Sequence, residues 1–99
     1  MPSKHQLKDL VFSEIESRAE EIVQISKTIL THPESGFREQ KTSSLVATTL
    51  KELGVPVREG IALTGVKGQL RTAGPGPTVA LLGELDSLIV HDHPYADPI

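Results

Sequence analysis

Cysteine and tryptophan are absent from this 99-residue chain, and its only aromatic residues are Phe12, Phe37 and Tyr95. Without cysteine there is no disulfide framework, and no thiolate metal site can be built from these residues. Nothing marks an oxidising compartment. With 3% aromatic content, a self-sufficient core would have to be almost wholly aliphatic, which favours a piece of something larger. Long apolar runs are also missing. Met1-Pro2-Ser3-Lys4-His5-Gln6 is polar, so neither the apolar core of a secretion signal nor a membrane-spanning stretch is visible. A cytoplasmic location with no membrane partner is the expectation. No excess of one charge sign exists either: thirteen acidic residues against ten basic ones give a formal charge of -3, with Lys and Arg scattered from Lys4 to Arg71. That distribution argues against a nucleic-acid partner.

A chain of this length supports one small domain or part of one, in which roughly 60 to 70% of the unfolded surface is buried. Leu7, Val11, Ile15, Ala19, Ile22 or Val23, and Ile29 recur at helical spacings, with Lys, Glu and Arg on the other face. The pattern predicts a long helix ending near Thr31, where His32-Pro33 forces the chain out of helical geometry. Its start is open. Ser3 with Gln6 and Ser13 with Glu16 both fit the capping-box pattern, and the later start would leave the first dozen residues as a separate helix or a loose arm.

A second helix is predicted from about Gln40 to Leu53, with Leu45, Val46, Thr49, Leu50 and Leu53 on one side and Gly54 in the left-handed position that ends helices. Val55-Pro56-Val57 and Val66 to Leu70 read as strands, the latter with Val66, Gly68 and Leu70 on one face. Thr64-Gly65-Val66 reads as a turn entering a strand. Gly74-Pro75-Gly76-Pro77 is a turn rather than a phosphate cradle, because proline removes the N–H donors a cradle needs. Val79 to Leu82 is an uncharged apolar run, predicted to be a strand covered on both faces.

That run delivers Glu84 and Asp86 to a glycine-marked strand end, two residues apart and so on one side of the strand. Carboxylates so placed can ligate a metal, orient a ligand or share a proton, or they can simply leave the sheet into solvent. His91-Asp92-His93 sets two imidazoles at strand spacing. A zinc site usually takes at least three protein ligands, however, and the stretch ending in Pro94 and Pro98 reads as an exposed loop. In His32-Pro33-Glu34-Ser35-Gly36-Phe37, Phe37 is expected to anchor the connection in the core and Gly36 to supply an unusual backbone angle. Glu34 could form a salt bridge or face a site.

Taken together, His32-Pro33-Glu34-x-Gly36-Phe37-x-Glu39, Lys41-Thr42, Leu50-x-x-Leu53-Gly54, Thr64-Gly65-Val66, Gly74-Pro75-Gly76-Pro77 and Val79 to Asp86 carry a likeness. In this order they resemble the beginning of the zinc-dependent amidohydrolase and dipeptidase family, which includes aminobenzoyl-glutamate, hippurate and indoleacetyl-amino-acid hydrolases. The likeness runs from about Ile22 to Asp86. It implies an α/β fold in which N-terminal helices lead into strands of a mixed sheet, an incomplete portion of a zinc-peptidase-like catalytic domain. Residues 1–21 would be a helical arm and 22–99 the fragment of the catalytic domain. Family members carry a smaller inserted domain used as lid and dimer surface, so a homo-oligomer is possible for the full-length protein.

The resemblance also implies the chemistry: cleavage of the amide bond of a small N-acyl amino acid or dipeptide by a pair of divalent metals, zinc or manganese, with a glutamate as general base. Asp86 matches the family's strand-end aspartate, which in related metallopeptidases follows a ligand histidine by two residues and orients it. Here the earlier position is Glu84. In the amidohydrolase branch the metal ligands come instead from a later Cys-Gly-His motif, a glutamate pair and further histidines, none of which this sequence contains. Asp86 is thus the expected site-supporting residue and Glu84 a weaker companion, while His91 and His93 match no family ligand. The chain alone is expected to bind no metal and to be inactive. The alternative is a small non-catalytic binding module that kept the family's opening fold.

Overall fold

Helix α1 (Lys4–Ser17) begins at the earlier of the two candidate caps. The Ser3 hydroxyl accepts the Gln6 backbone N–H at 3.1 Å, and the Gln6 side chain accepts the Ser3 N–H at 2.7 Å. Two of the donors that a helix start leaves without partners are thereby satisfied. Ser13, the later candidate, lies inside the helix. This computed structural model describes residues 1–96.

The single long helix expected to reach Thr31 is two helices. Arg18 departs from helical geometry (φ -108°, ψ 14°), and α2 (Ala19–Thr31) follows it. Its N–H is shared between the carbonyls of Glu14 and Ile15, a three-centred arrangement common at helix ends, and its own carbonyl accepts the Ile22 N–H to restart the ladder. The guanidinium spans the joint, 2.6 Å from Glu14 and 3.6 Å from Glu21. The hydrogen bond to Glu14, then the charges of Glu14 and Glu21, raise its pKa above the ordinary value. Helix α2 ends at Thr31, immediately before His32-Pro33, as the sequence requires.

Residues Met1–Thr31 form one compact unit and the chain from His32 onward a second. The apolar stripe of the first unit is present, but no residue of α1 or α2 is buried, and Leu7, Val11, Ile15, Ile22 and Val23 are exposed. Helical periodicity marks a face suited to burial. Burial itself requires a second layer to cover that face.

In the second unit α3 (Gln40–Glu52) packs on an antiparallel pair, β1 (Val57–Ile61) and β2 (Gly65–Gly68). Gly54 takes the left-handed angle expected of it (φ 78°). Its N–H reaches the Lys51 carbonyl at 3.0 Å and that of Val55 reaches Leu50 at 2.9 Å, a doubly bonded helix terminus. Val57 lies opposite Gly68, Arg58 opposite Lys67 and Ile61 opposite Gly65, with a register shift between Arg58 and Ile61. The strands are displaced from the sequence expectation: β1 begins after Pro56, which has no N–H to donate, and β2 stops at Gly68, leaving Leu70 exposed.

Among the described residues Ala47 is the buried apolar side chain of this unit, while Leu45, Val46, Leu50, Val55, Val57, Ile61 and Val66 are half-buried. The inward face of α3 also takes in Thr42 and Ser43, while Leu53, expected on it, is exposed. The helix end and the hairpin meet closely at Gly68, where a Cβ would lie 2.9 Å from Val55 and 3.2 Å from Leu50.

The expected strand at Val79 to Leu82 is not formed. The segment has no regular structure, and Val79, Leu81 and Leu82 are exposed. An uncharged apolar strand is held by neighbours on both edges and layers on both faces, and among the described residues none supplies them. The α/β class stands: helices followed by an antiparallel pair, consistent with a partial domain.

The turn between the strands is tight. Ala62 and Leu63 adopt positive φ, and a Cβ on Gly65 would sit 2.5 Å from the Ile61 carbonyl oxygen, so the backbone itself would have to move. Gly65→Ala is expected to destabilise this unit by about 1–3 kcal/mol in urea unfolding, whereas Gly76→Ala stays within about 0.5 kcal/mol because nothing lies near Gly76.

Candidate functional site

The polar groups that converge in this structure lie on the connection between α2 and α3. Ser35 to Arg38 form a turn closed by the Arg38 N–H on the Ser35 carbonyl at 3.0 Å. The left-handed residue in it is Phe37 (φ 63°), where Gly36 was expected to supply the unusual angle. Phe37 is 68% exposed rather than anchored in the core. The Phe37 N–H donates to Glu39 Oε1 at 2.7 Å, so the backbone of this turn, and not the aromatic ring, is what ties it to the rest of the unit.

Glu39 is 5% exposed, a buried carboxylate that helix burial would normally exclude. It is tolerated because both oxygens are satisfied, Oε1 by Phe37 and Oε2 by the Thr64 hydroxyl in the β1–β2 turn. A loop and a hairpin turn 25 positions apart are joined through one side chain. The Thr64 hydrogen bond, assisted by backbone donors, lowers the carboxyl's pKa against the opposing effects of burial and of the Glu34 charge.

Glu34, expected to form a salt bridge or face a site, makes its side-chain hydrogen bonds to the first turn of α3 and so caps that helix. Its Oε1 accepts the Thr42 N–H at 2.7 Å and the Thr42 hydroxyl at 2.8 Å, and Oε2 accepts the Lys41 N–H at 3.0 Å. The residue at the cap position, Glu39, makes no such bond. A negative group at this end is also favoured by the helix dipole. The backbone bond from Lys41, then that from Thr42, holds the Glu34 carboxyl below its ordinary value. No cap rule marks this role in the sequence, because Glu34 lies six residues before Gln40 and outside the position from which a side chain ordinarily caps a helix.

Glu84 and Asp86 are both exposed, in a segment without strand geometry, so the alternation that put them on one side no longer applies. The segment is nonetheless attached. The Ser87 N–H donates to the Glu34 carbonyl at 2.7 Å, and Leu85 and Ser87 are half-buried. Asp86 thus stands between two residues that rest on the body of the unit. His91, Asp92 and His93 are exposed in a turn, where the His93 ring accepts the Tyr95 N–H at 3.1 Å and lies 5.8 Å from the Tyr95 ring. Among the described residues no three His, Asp or Glu side chains gather closely enough to hold a metal ion. No helix among them is long and apolar enough to cross a membrane.

Against this geometry the sequence comparisons are decisive. The chain is 47% identical over 73 residues to Thermostable carboxypeptidase 1 of Saccharolobus solfataricus, covering 73% of this chain and 19% of that protein. It is 34% identical over 90 residues to IAA-amino acid hydrolase ILR1-like 2 of Arabidopsis thaliana, covering 91% and 20%. It is 40% identical over 68 residues to hippurate hydrolase of Campylobacter jejuni, covering 69% and 18%. Its homologues thus include a carboxypeptidase, an IAA-amino acid hydrolase and a hippurate hydrolase, matching the amidohydrolase and metallopeptidase family over about 70–90% of this chain. It spans about a fifth of the length of the curated relatives it matches. No family model matches it, and no solved structure does.

Both lowered carboxylates give the second unit an acid limit. Each binds its proton more weakly folded than unfolded, so its contribution is complete above the ordinary value of 4.5 and is lost as pH falls through the lower folded value. The thermal midpoint of this unit is expected to be level at neutral pH and to fall below pH 4.5. Thr64→Val should lower the neutral midpoint and flatten the acid slope, because Glu39 loses the bond that most favours its charged form. Scanning calorimetry of both chains from pH 7 to pH 3 checks this.

Proposed function

We propose that this sequence supplies part of a metal-dependent amidohydrolase that cleaves the amide bond of an N-acyl amino acid or a dipeptide. The observation that carries the reading is sequence similarity over 69 to 91% of this chain to proteins named as a carboxypeptidase, an IAA-amino acid hydrolase and a hippurate hydrolase. Hydrolysis of an amide asks for a water made nucleophilic, a polarised carbonyl and a proton for the departing amine. Two divalent ions, zinc or manganese, supply the first two in chemistry of this kind.

The described residues do not fit the role of metal cage, since no three donors converge. No step is therefore assigned to metal bound by them. Their contribution is positional. Asp86 is the site-supporting carboxylate, exposed and carried on a segment tied to the α2–α3 connection, with Glu84 as its weaker companion. An exposed carboxylate there has both oxygens available to accept a hydrogen bond from a ligand side chain and fix its orientation.

The 99 residues, assayed against N-acyl amino acids and dipeptides with zinc or manganese, are expected to give no chelator-sensitive turnover; such turnover would overturn the assignment of ligands to residues outside this sequence. In a longer active polypeptide containing this sequence, Asp86→Asn should lower kcat roughly ten- to a hundredfold, as loss of a ligand's supporting partner does. An unchanged kcat would remove Asp86 from the site.

A further inference from the structure

We propose that Glu34 is the positioning residue for Asp86, acting through both its side chain and its backbone. The inference rests on the reading of Asp86 as a site residue. It arises because the strand expected to hold that aspartate is not formed, yet the segment is attached at one defined place. The carboxylate of Glu34 is fixed on the first turn of α3 by three hydrogen bonds, from the Lys41 N–H, the Thr42 N–H and the Thr42 hydroxyl. Its carbonyl oxygen accepts the Ser87 N–H at 2.7 Å, one residue beyond Asp86.

A carbonyl is only as well placed as the residue that bears it. Residues 33–35 have no regular structure, so the side-chain clamp on α3 is what orients that carbonyl. The following turn is itself fixed by the Phe37 bond to buried Glu39, which leaves Glu34 little room to rotate. The helix start, the loop and the aspartate segment are therefore in series, and Glu34 is the single residue present at both joints. Glu34→Gln keeps an acceptor oxygen for Thr42; Glu34→Ala removes the clamp while leaving the residue 34 carbonyl chemically intact.

Amide hydrogen exchange on the 99-residue chain separates positioning from general support, with the Gln69 amide, bonded to the Pro56 carbonyl at 3.2 Å, as internal reference. In Glu34→Ala the Ser87 amide is expected to exchange roughly tenfold faster or more while Gln69 is unchanged, and in Glu34→Gln Ser87 should stay within roughly threefold of the unsubstituted chain. Equal protection of Ser87 in Glu34→Ala would overturn the proposal. So would an unprotected Ser87 in the unsubstituted chain, or parallel acceleration of Ser87 and Gln69. A failure of Asp86→Asn to change kcat would instead sink the role of Asp86 and leave the exchange result standing.

Discussion

The second unit depends on one buried carboxylate. Glu39 lies where an apolar side chain would ordinarily sit, between the start of α3 and the β1–β2 turn, and it accepts one hydrogen bond from each side. Leaving either oxygen unsatisfied there would be costly, because a desolvated charge has no water to fall back on. The Phe37 N–H, on a left-handed residue, and the Thr64 hydroxyl together meet that requirement.

Directional bonds of this kind matter more here than in a domain with a deep core. Ala47 is the fully buried apolar residue, and much of the inward face of α3 is Thr42 and Ser43. Apolar contact is non-directional and tolerates small slips in register. A carboxylate bonded to an N–H on one side and a hydroxyl on the other does not, so Glu34 and Glu39 together set where the loop, the helix start and the hairpin turn stand relative to each other.

What the residues disclosed in advance was local. The Ser3–Gln6 capping box, the end of α2 before Pro33, the span of α3 and the left-handed Gly54 follow from short-range rules acting within one turn of chain. The break at Arg18 was not legible, since neither Gly nor Pro marks it and the apolar period continues across it. Val79 to Leu82 was misread because its pattern states what a strand would need on either side without showing whether those neighbours are at hand. Phe37, expected inside, is exposed, and the group of this loop that is buried is the Glu39 carboxylate, whose partner Thr64 lies 25 positions along the chain, beyond the reach of any local rule. Asp86 was singled out with Glu84 by strand alternation and given a supporting role by resemblance, and its attachment through Ser87 could not have been read from alternation along a strand that does not form.

The uncharged run at Val79 to Leu82 carries a liability of its own. Exposed, aliphatic and free of internal proline, it has the make-up of segments that stack between molecules into cross-β assemblies. Pro77 on one side and Glu84 on the other act as gatekeepers, the first lacking a donor for an intermolecular ladder and the second bringing like charges together when copies align. A negative charge directly after Gly83 thus opposes the stacking that the exposed aliphatic run before it would favour.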